Sequence, residues 1–444
     1  MNLRGKRLEG TFLHAPRRGE IEVLDRAVIA VDERGVISSV GSGDADVVLP
    51  AGMLVLPGLV DLHVHAPQYA QLGQALDVPL EVWLRKYTFP LEAKFAALDF
   101  ARPRYEAVVG DLIANGTTTA LYFATVHLEA TKLLADICAV KGQRALIGKV
   151  VMDDPAACPD DYRDRSAATA LADTRALIDH VRGIEAAEGR VMPVVTPRFI
   201  PSCTDEALAL LGALVRECGC HVQTHASESD WAHGHALQRY GKTDTEALDG
   251  FGLLGRRTVL AHANFLTDVD MERIADRGAA VAHCPISNIY FADSVFPLRQ
   301  ALEKGVHVGL GTDISGGPIA SIWEAARGAV QASRLLEHGV DPALPADRRG
   351  RAESRIDMAT AFHLATAGGG EALDLPIGTF AVGQKFDALL IDPNAAAGTV
   401  RLFGETDPVI VLEKVLYSAT RPNIASVWVD GQRIGGAMDE GRSA

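Results

Sequence analysis

Eight short apolar runs recur between positions 55 and 314, and segments of helix length separate them. The runs lie at 55–63, 117–125, 144–153, 192–199, 221–228, 258–265, 279–288 and 307–314. Runs of this length and composition are typical of buried strands. The segments 131–140, 167–188, 205–218 and 269–277 instead space their apolar residues as one face of a helix does. Eight strand–helix units in one run predict an α/β fold, a (β/α)₈ barrel.

Both ends of the chain show a different pattern. After helical segments at 321–336 and 354–373, short strand-like runs return, and similar runs occupy the first fifty residues. These strands are predicted at 21–24, 27–31, 36–40, 388–391 and 425–429. The last run ends in the turn pair Asp430-Gly431. Strand-rich ends around one barrel predict a small sheet domain assembled from both termini.

Composition and charge exclude several classes of protein. Of 444 residues, 48% are hydrophobic and 23% are charged, which is usual for a globular protein and excludes a disordered or fibrous chain. The 43 basic and 57 acidic residues give a net charge of -14 without a basic run, so we expect no nucleic-acid partner. We also expect no membrane association and a cytoplasmic location, because the sequence contains no long apolar stretch and no signal-peptide pattern.

The six cysteines form no Cys-x-x-Cys pair, and we expect them to be reduced thiols. This spacing excludes the zinc-dependent base-modifying enzymes whose signature requires such a pair.

Candidate chemistry gathers where the predicted barrel strands end, which is where barrel enzymes place their active sites. His63 and His65 are two residues apart, so their side chains share one face of a strand and suit a metal ion. The ends of the other strands supply Arg198, Phe199, His225, Glu228, His262, His283 and Asp313. Three imidazoles and a carboxylate suit zinc, or ferrous iron as the alternative. His233 and His235 lie in a helical segment. Side chains two positions apart on a helix point in different directions, so these two cannot bind one ion.

These residues resemble the amidohydrolase superfamily. The resemblance is carried by the segment 57–65, which ends in His63-Val64-His65, by His225, by His262 and by Gly311-Thr312-Asp313. It implies a metal-dependent hydrolase on a distorted (β/α)₈ TIM barrel with a flanking β-sandwich, divided as 1–56, 57–378 and 379–444. The fourth strand ends in Thr196-Pro197-Arg198-Phe199 without the lysine of two-metal members, which implies one metal ion per chain.

The resemblance narrows to the superfamily members that deaminate guanine. It is carried by the segments 65–69, 83–90, 122–125, 196–199 and 225–228. It implies that guanine, a small-molecule purine, reacts with water to give xanthine and ammonia, and that the protein is a homodimer. The implied metal ligands are His63, His65, His225 and Asp313. The implied substrate contacts are Gln68, Arg198, Phe199, Glu228, His262 and Asp313.

Guanine deamination needs hydroxide at C2, a proton on a ring nitrogen and a proton on the departing amine. We hypothesise that Asp313 takes the proton of the attacking water, that Glu228 protonates N3 and helps to expel ammonia, and that His262 holds the attacking oxygen. These three are the predicted catalytic residues. Alternatively, Glu228 is a carboxylate at a helix start, and Asp313 is an N-cap before Gly316-Gly317.

Other functions stay open at this stage. The same metal set would serve a deaminase or dechlorinase of 8-oxoguanine, an adenine derivative, cytosine or an s-triazine. A metal-free scaffold protein is a further alternative, which the presence of all four ligands disfavours. Trp83, Tyr87 and Phe89 form either a lid or an aromatic cluster that packs a loop, and Ile286 departs from the family pattern near the expected pocket.

Overall fold

The computed structural model describes residues 2–437, and its strands form two sheets. The strands are β1 (Arg7–His14), β2 (Glu22–Val31), β3 (Ile37–Gly41), β4 (Val47–Val48), β5 (Leu54–Pro57), β6 (Leu59–His65), β7 (Thr117–Phe123), β8 (Arg144–Gly148), β9 (Val150–Val151), β10 (Val191–Pro197), β11 (His221–Ala226), β12 (Thr258–His262), β13 (Ala280–His283), β14 (His307–Leu310), β15 (Ala388–Ile391), β16 (Ile424–Val429) and β17 (Gln432–Gly435).

Helices follow most of the barrel strands. They are α1 (Leu80–Trp83), α2 (Phe89–Ala93), α3 (Leu98–Ala114), α4 (Leu128–Lys141), α5 (Ala167–Arg182), α6 (Asp205–Cys218), α7 (Asp230–Tyr240), α8 (Asp244–Gly250), α9 (Asp268–Arg277), α10 (Pro285–Ser287), α11 (Leu298–Glu303), α12 (Ile322–His338), α13 (Met358–Ala365), α14 (Ala367–Ala372) and α15 (Pro408–Ser418). Local sequence sets many of their ends. For example, Thr204 caps the start of α6 by accepting from the Ala207 N–H, and left-handed Gly219 ends it.

The barrel is confirmed as eight parallel strands in the order β6, β7, β8, β10, β11, β12, β13, β14. It closes beyond the last strand, where the Asp313 N–H donates to the His63 carbonyl at 2.8 Å and the His65 N–H donates to the Ile314 carbonyl at 3.0 Å. Side chains such as Leu62, Leu121, Leu146 and Val259 fill the interior. The barrel interior is therefore a packed core, and the side chains that can take part in a reaction lie at the strand ends.

The second sheet, built from both ends of the chain, is also confirmed. Its order is β17, β16, β15, β5, β1, β2, β3, with β4 beside β1. Ile37 on β3 and Trp428 on β16 belong to one apolar core with Phe12, so the sheet folds over on itself as a small sandwich. Asp430 and Gly431 both have positive φ, at 48° and 73°, which is the geometry of a tight hairpin turn between β16 and β17.

The predicted strand 55–63 was wrong in extent, because two strands occupy this run. β5 pairs with β15 of the terminal sheet, and β6 enters the barrel after Gly58. A Cβ atom on Gly58 would lie 2.1 Å from Thr118 Oγ1, so only glycine lets the chain cross here. An uninterrupted apolar run hides such a change of sheet. The division at 56/57 and 378/379 stays a prediction.

Four further expectations need correction. The predicted strands 21–24 and 27–31 are one strand, β2, and the predicted strand 279–288 ends with β13, after which α10 begins at Pro285. The predicted helix at 354–373 is two helices, α13 and α14, which break at Thr366. Strand β1 was missed, because the sequence over Arg7–His14 mixes charged and apolar residues without clean alternation. In the described residues 2–437, no helix has the length and apolar character needed to cross a lipid bilayer.

A buried ion-pair cluster joins the barrel to the terminal sheet. The Arg144 guanidinium at the start of β8 donates to both oxygens of Asp387, at 2.9 and 3.1 Å, and to Asp430 at 2.7 Å. All three side chains are almost fully buried. Removing one partner of a buried pair leaves the other charge without compensation.

We therefore expect Asp387→Asn to lower the free energy of unfolding by about 3 kcal/mol. Urea unfolding followed by circular dichroism measures this change. An exposed carboxylate, Glu206→Asn, serves as the control and should change stability by less than about 0.5 kcal/mol. An equal loss in both variants would contradict the role of the cluster.

Candidate active site

Five side chains from four barrel strands meet at one end of the barrel. His63 and His65 lie at the end of β6, His225 on β11, His262 at the end of β12, and Asp313 just after β14. His63 Nε2 is 3.1 Å from Asp313 Oδ1, and His65 Nε2 is 3.6 Å from the same oxygen. His65 Nε2 and His225 Nε2 are 3.0 Å apart. The structure thus brings the four predicted metal ligands together, with His262 beside them.

The donor atoms of this cluster fit a divalent cation. Ligand atoms of His63, His65 and His225 lie within 4.8 Å of one another, and so do those of His63, His262 and Asp313. Burial lowers the pKa of His63, His65 and His225 well below the usual histidine value, and the neighbouring imidazoles add to this effect. Neutral imidazole is the form that binds metals, so converging nitrogen lone pairs and one carboxylate form a donor set of the zinc type.

Outer hydrogen bonds fix the orientation of these rings. His225 Nδ1 is 2.6 Å from the Arg198 carbonyl, and His262 Nδ1 is 2.9 Å from Asn288 Oδ1. Each bond leaves the Nε2 atom directed towards the cluster. His262 Nε2 is buried and has no hydrogen-bond partner among the described residues, at 3.5 Å from Glu228 Oε1.

Asp61 lies within the motif segment 57–65, and its carboxylate holds two parts of the cluster together. Asp61 accepts from the Thr312 N–H at 3.0 Å and the Thr312 hydroxyl at 2.6 Å, and it also accepts from the His63 N–H at 3.2 Å. It therefore ties the segment that carries Asp313 to the strand that carries His63. Its position in the strand gave no separate signal for this role.

Several residues in and beside the cluster have an unusual backbone conformation that orients their side chains. Ser227, His262, Ala263 and Asp313 have positive φ values of 47°, 71°, 54° and 48°. Residues with a Cβ rarely adopt this conformation, and such residues concentrate at active sites. At each of these three strand ends the chain turns sharply, so the adjoining side chain points over the barrel mouth.

The two predicted acid–base groups are both buried carboxyls. Burial, and next the charge of Asp313, raise the pKa of Glu228 to about 8. Burial also raises the pKa of Asp313, against the attraction of His262. The helix after Glu228 is capped by Ser229, and α12 begins at Ile322, so neither carboxylate is a helix cap. Glu228 thus carries a proton at neutral pH, as a general acid must.

A cavity opens beside the cluster, and five of the six predicted substrate contacts line it, with His262 as the exception. Its walls include Gln68, Arg198, Phe199, Glu228 and Asp313, together with His65, Leu80, Trp83, Leu84, His225, Phe291 and Gly316. Trp83 and Phe291 lie next to each other in these walls, with ring centroids 5.0 Å apart. Trp83 therefore lines the cavity and also packs its own segment, whereas its role as a lid stays a prediction. Ile286 lies against Gly328 of α12 and is not part of these walls.

Arg198 is not in a surface ion pair, because it is 2% exposed and pairs with a buried residue that sequence reasoning missed. That residue is Glu92 on α2, whose Oε2 accepts from Arg198 Nη1 at 2.6 Å. Glu92 Oε1 also accepts from Gln68 Nε2 at 2.9 Å. Glu92 follows the quoted segment 83–90, but one glutamate in a short helix gives no signal of burial.

The remaining candidate histidines lie outside the cluster. His233 on α7 is 3.2 Å from Asp244 Oδ2, and His235 is partly buried on the same helix. Neither belongs to a group of converging ligands in the described residues. His283 ends β13 and packs on Phe296 at 5.4 Å, and His127 packs on Tyr162 at 5.7 Å.

Comparison with known proteins identifies the family. The model of the amidohydrolase family matches residues 54–434. The chain belongs to the amidohydrolase family. Its relatives in this family include a probable guanine deaminase of Schizosaccharomyces pombe, 36% identical over 96% of this chain and 83% of the relative. The guanine deaminase of Dictyostelium discoideum is 35% identical over 97% of this chain and 98% of the relative.

A solved structure agrees with these relatives. The guanine deaminase from C. acetobutylicum, crystallised with guanine in its active site, superposes with a TM-score of 0.88. It is 31% identical, and the match covers 97% of this chain and 100% of that chain. The resemblance stated from the sequence is thus confirmed, and so is the fold of this amidohydrolase.

Proposed function

We propose that this amidohydrolase is a guanine deaminase, which hydrolyses guanine to xanthine and ammonia. The observation that carries the proposal is one cavity that lies beside the four converging metal-ligand side chains and has Arg198, Gln68 and Phe199 on its walls. Similarity to guanine deaminases over nearly the whole chain supports the same substrate.

We assign the metal position to His63, His65, His225 and Asp313, with Zn²⁺ as the ion and Fe²⁺ as the alternative. When bound, such an ion lowers the pKa of a water molecule from about 15.7 to about 7 and so supplies hydroxide at neutral pH. The nitrogen-rich donor set favours zinc over calcium or magnesium, which prefer oxygen shells.

The protein side chains then move protons in a balanced sequence. Asp313 accepts one proton of the attacking water, and Glu228 donates its proton to N3 as the oxygen adds to C2. His262 Nε2, buried and unpartnered within the described chain, contacts the added oxygen. Glu228 next takes the proton of the new hydroxyl, while Asp313 gives its proton to the amine. The C2–N bond breaks, ammonia leaves, and both carboxyls return to their starting states.

Arg198, Gln68 and Phe199 hold the purine. The Arg198 guanidinium donates to ring acceptors, the Gln68 amide both donates and accepts, and the buried Phe199 ring packs against the base. Glu228, His262 and Asp313 complete the contacts at the reacting edge.

Arg198→Ala should lower kcat/KM for guanine by about a hundredfold, because a hydrogen bond from a charged group to the substrate is lost. Metal content should stay at the wild-type value, since the Arg198 carbonyl that orients His225 belongs to the backbone. Steady-state kinetics with parallel metal analysis makes the comparison. Unchanged guanine kinetics in the variant would refute the contact.

The proposed function is tested by an ultraviolet time course of metal-quantified protein with guanine, with ammonia assayed in parallel. Comparison substrates are 8-oxoguanine, adenine, cytosine and a chloro-s-triazine. We expect xanthine and stoichiometric ammonia from guanine, and no reaction after chelation. A metal-replete protein that leaves guanine unreacted but consumes another ring would keep the chemistry and reassign the substrate.

The homodimer and the cytoplasmic location stay predictions. Sedimentation velocity tests the first, and a single monomer peak at micromolar concentration would contradict it. Imaging of the tagged full chain in its own cells tests the second.

A further inference from the structure

Glu92 occupies the centre of a buried hydrogen-bond network beside the cavity. Its Oε1 accepts from Gln68 Nε2 at 2.9 Å and from Arg198 Nη2 at 3.3 Å. Its Oε2 accepts from Arg198 Nη1 and from the Tyr162 hydroxyl, both at 2.6 Å. An ionised carboxylate has about four acceptor sites. All four are occupied by protein donors, so Glu92 has none left for a substrate or a metal ion.

We infer that Glu92 is a positioning residue that fixes the Arg198 guanidinium and the Gln68 amide and thereby sets which purine the cavity accepts. This inference rests on the proposed function. It extends that function to a residue that does not itself line the cavity and that the comparison of motifs does not single out.

The Gln68 amide has one orientation because of Glu92. A carboxylate only accepts, so the Gln68 atom that faces it must be the NH₂ group. The opposite atom, Oε1, accepts from the Ser315 N–H at 3.2 Å. A flipped amide would set its oxygen against the Glu92 carboxylate and its NH₂ group against the Ser315 N–H. The free N–H and the free lone pair of Gln68 therefore hold fixed positions at the cavity.

The Arg198 guanidinium is held on two sides. Glu92 binds it with two parallel hydrogen bonds, and the Phe89 ring centroid is 5.0 Å from its central carbon. Burial by itself would lower the pKa of Arg198, but the charge and the hydrogen bonds of Glu92, with smaller contributions from other neighbours, together raise this pKa. The guanidinium thus stays charged but is neutralised by its partner, which favours an uncharged carbonyl acceptor over an anion.

One carboxylate also joins the loops that follow different strands. Gln68 lies in the turn after β6, Tyr162 in the loop after β9, and Arg198 directly after β10. Glu92 itself continues the segment that carries Trp83 over the cavity. If Glu92 only held these loops together, its replacement would lower stability alone. If Glu92 positions Arg198 and Gln68, its replacement must also change the preference between substrates.

The test compares guanine with 2-aminopurine, which carries the reacting amine but lacks the 6-oxo group. For Glu92→Gln, we expect KM for guanine to rise about tenfold to a hundredfold, the loss of one well-placed hydrogen bond to a charged group. KM for 2-aminopurine should change less than about threefold, since it offers Arg198 no carbonyl. The ratio of the two kcat/KM values, guanine over 2-aminopurine, should therefore fall by at least about threefold.

Two further variants separate a change in substrate preference from a loss of stability. Tyr162→Phe removes one hydrogen bond from Glu92 but keeps the ion pair, and it should lower the guanine preference by about threefold to tenfold. Asp387→Asn breaks a comparable buried two-bond pair, that with Arg144, far from the cavity. It should lower the melting temperature and leave the substrate ratio unchanged.

The inference is overturned if folded Glu92→Gln keeps the wild-type ratio, or if Asp387→Asn shifts the ratio as much. Should Glu92→Gln fail to fold, an unchanged ratio in Tyr162→Phe overturns it. A wild-type protein that leaves guanine unreacted would remove the proposed function together with this inference. An active wild type with unshifted variants removes the inference alone.

Discussion

Replacing Glu228 with glutamine should lower kcat for guanine by about 10²–10⁴-fold, the usual contribution of a positioned acid–base group. The amide keeps the size of the side chain but has no exchangeable carboxyl proton for N3. It also cannot take the proton of the new hydroxyl, so both halves of the reaction lose the same group. Because Glu228 is buried and its pKa is raised to about 8, the wild-type carboxyl starts the reaction protonated.

The measurement is a single-turnover rate with metal analysis on the same sample. We expect metal content near the wild-type value, because the four assigned ligands remain. An exposed carboxylate on α6, Glu206→Gln, is the matched control and should turn over guanine at the wild-type rate. Near-normal turnover in Glu228→Gln would remove this residue from the mechanism.

Removing the metal ion should abolish guanine turnover, and zinc should restore it. The neutral imidazoles of His63, His65 and His225 and the carboxylate of Asp313 offer no hydroxide source of their own at pH 7. A His225→Ala variant should lose both the ion and the activity, because it deletes one of three nitrogen donors. The apoprotein should also melt at a lower temperature, since an ion bound only by the folded state stabilises that state.

Dialysis against a chelator, followed by titration with Zn²⁺ and Fe²⁺, measures the recovery and compares the two ions. His233→Asn is the matched control, because this histidine pairs with Asp244 outside the cluster and should keep its metal. Full activity in metal-free protein would contradict the assignment, and recovery with Fe²⁺ alone would replace zinc by iron.

Only the residues in the cavity walls can discriminate between the alternative substrates. The metal cluster would be the same for another heteroaromatic ring, so it does not separate them. The paired Arg198 and the fixed Gln68 amide favour a ring with a carbonyl beside a ring nitrogen. A scaffold protein without activity has no physical reason to keep three buried neutral imidazoles next to two buried carboxyls with raised pKa values.

Local sequence patterns were enough to predict the alternation of strands and helices and the segments that carry the reactive side chains. Apolar runs of strand length predict buried strands, and His63, His65, His225, His262 and Asp313 lie near the carboxyl ends of these runs. Parallel strands of a barrel point the same way, so these ends had to meet at one mouth. The segment 205–218 was predicted from its apolar spacing with the bounds that α6 has, and in the structure Thr204 and Gly219 cap its two ends.

The pairing of polar side chains, in contrast, depends on the tertiary fold. Glu92 and Asp61 look like ordinary acidic residues in the sequence, because burial and hydrogen bonds depend on segments far away along the chain. The passage of the chain from the terminal sheet to the barrel at Gly58 could not be predicted either, because an apolar run has the same pattern in both sheets. Local patterns fix elements and their faces, whereas the pairing of Glu92 with Arg198, 106 positions later, exists only once the strands have closed the barrel.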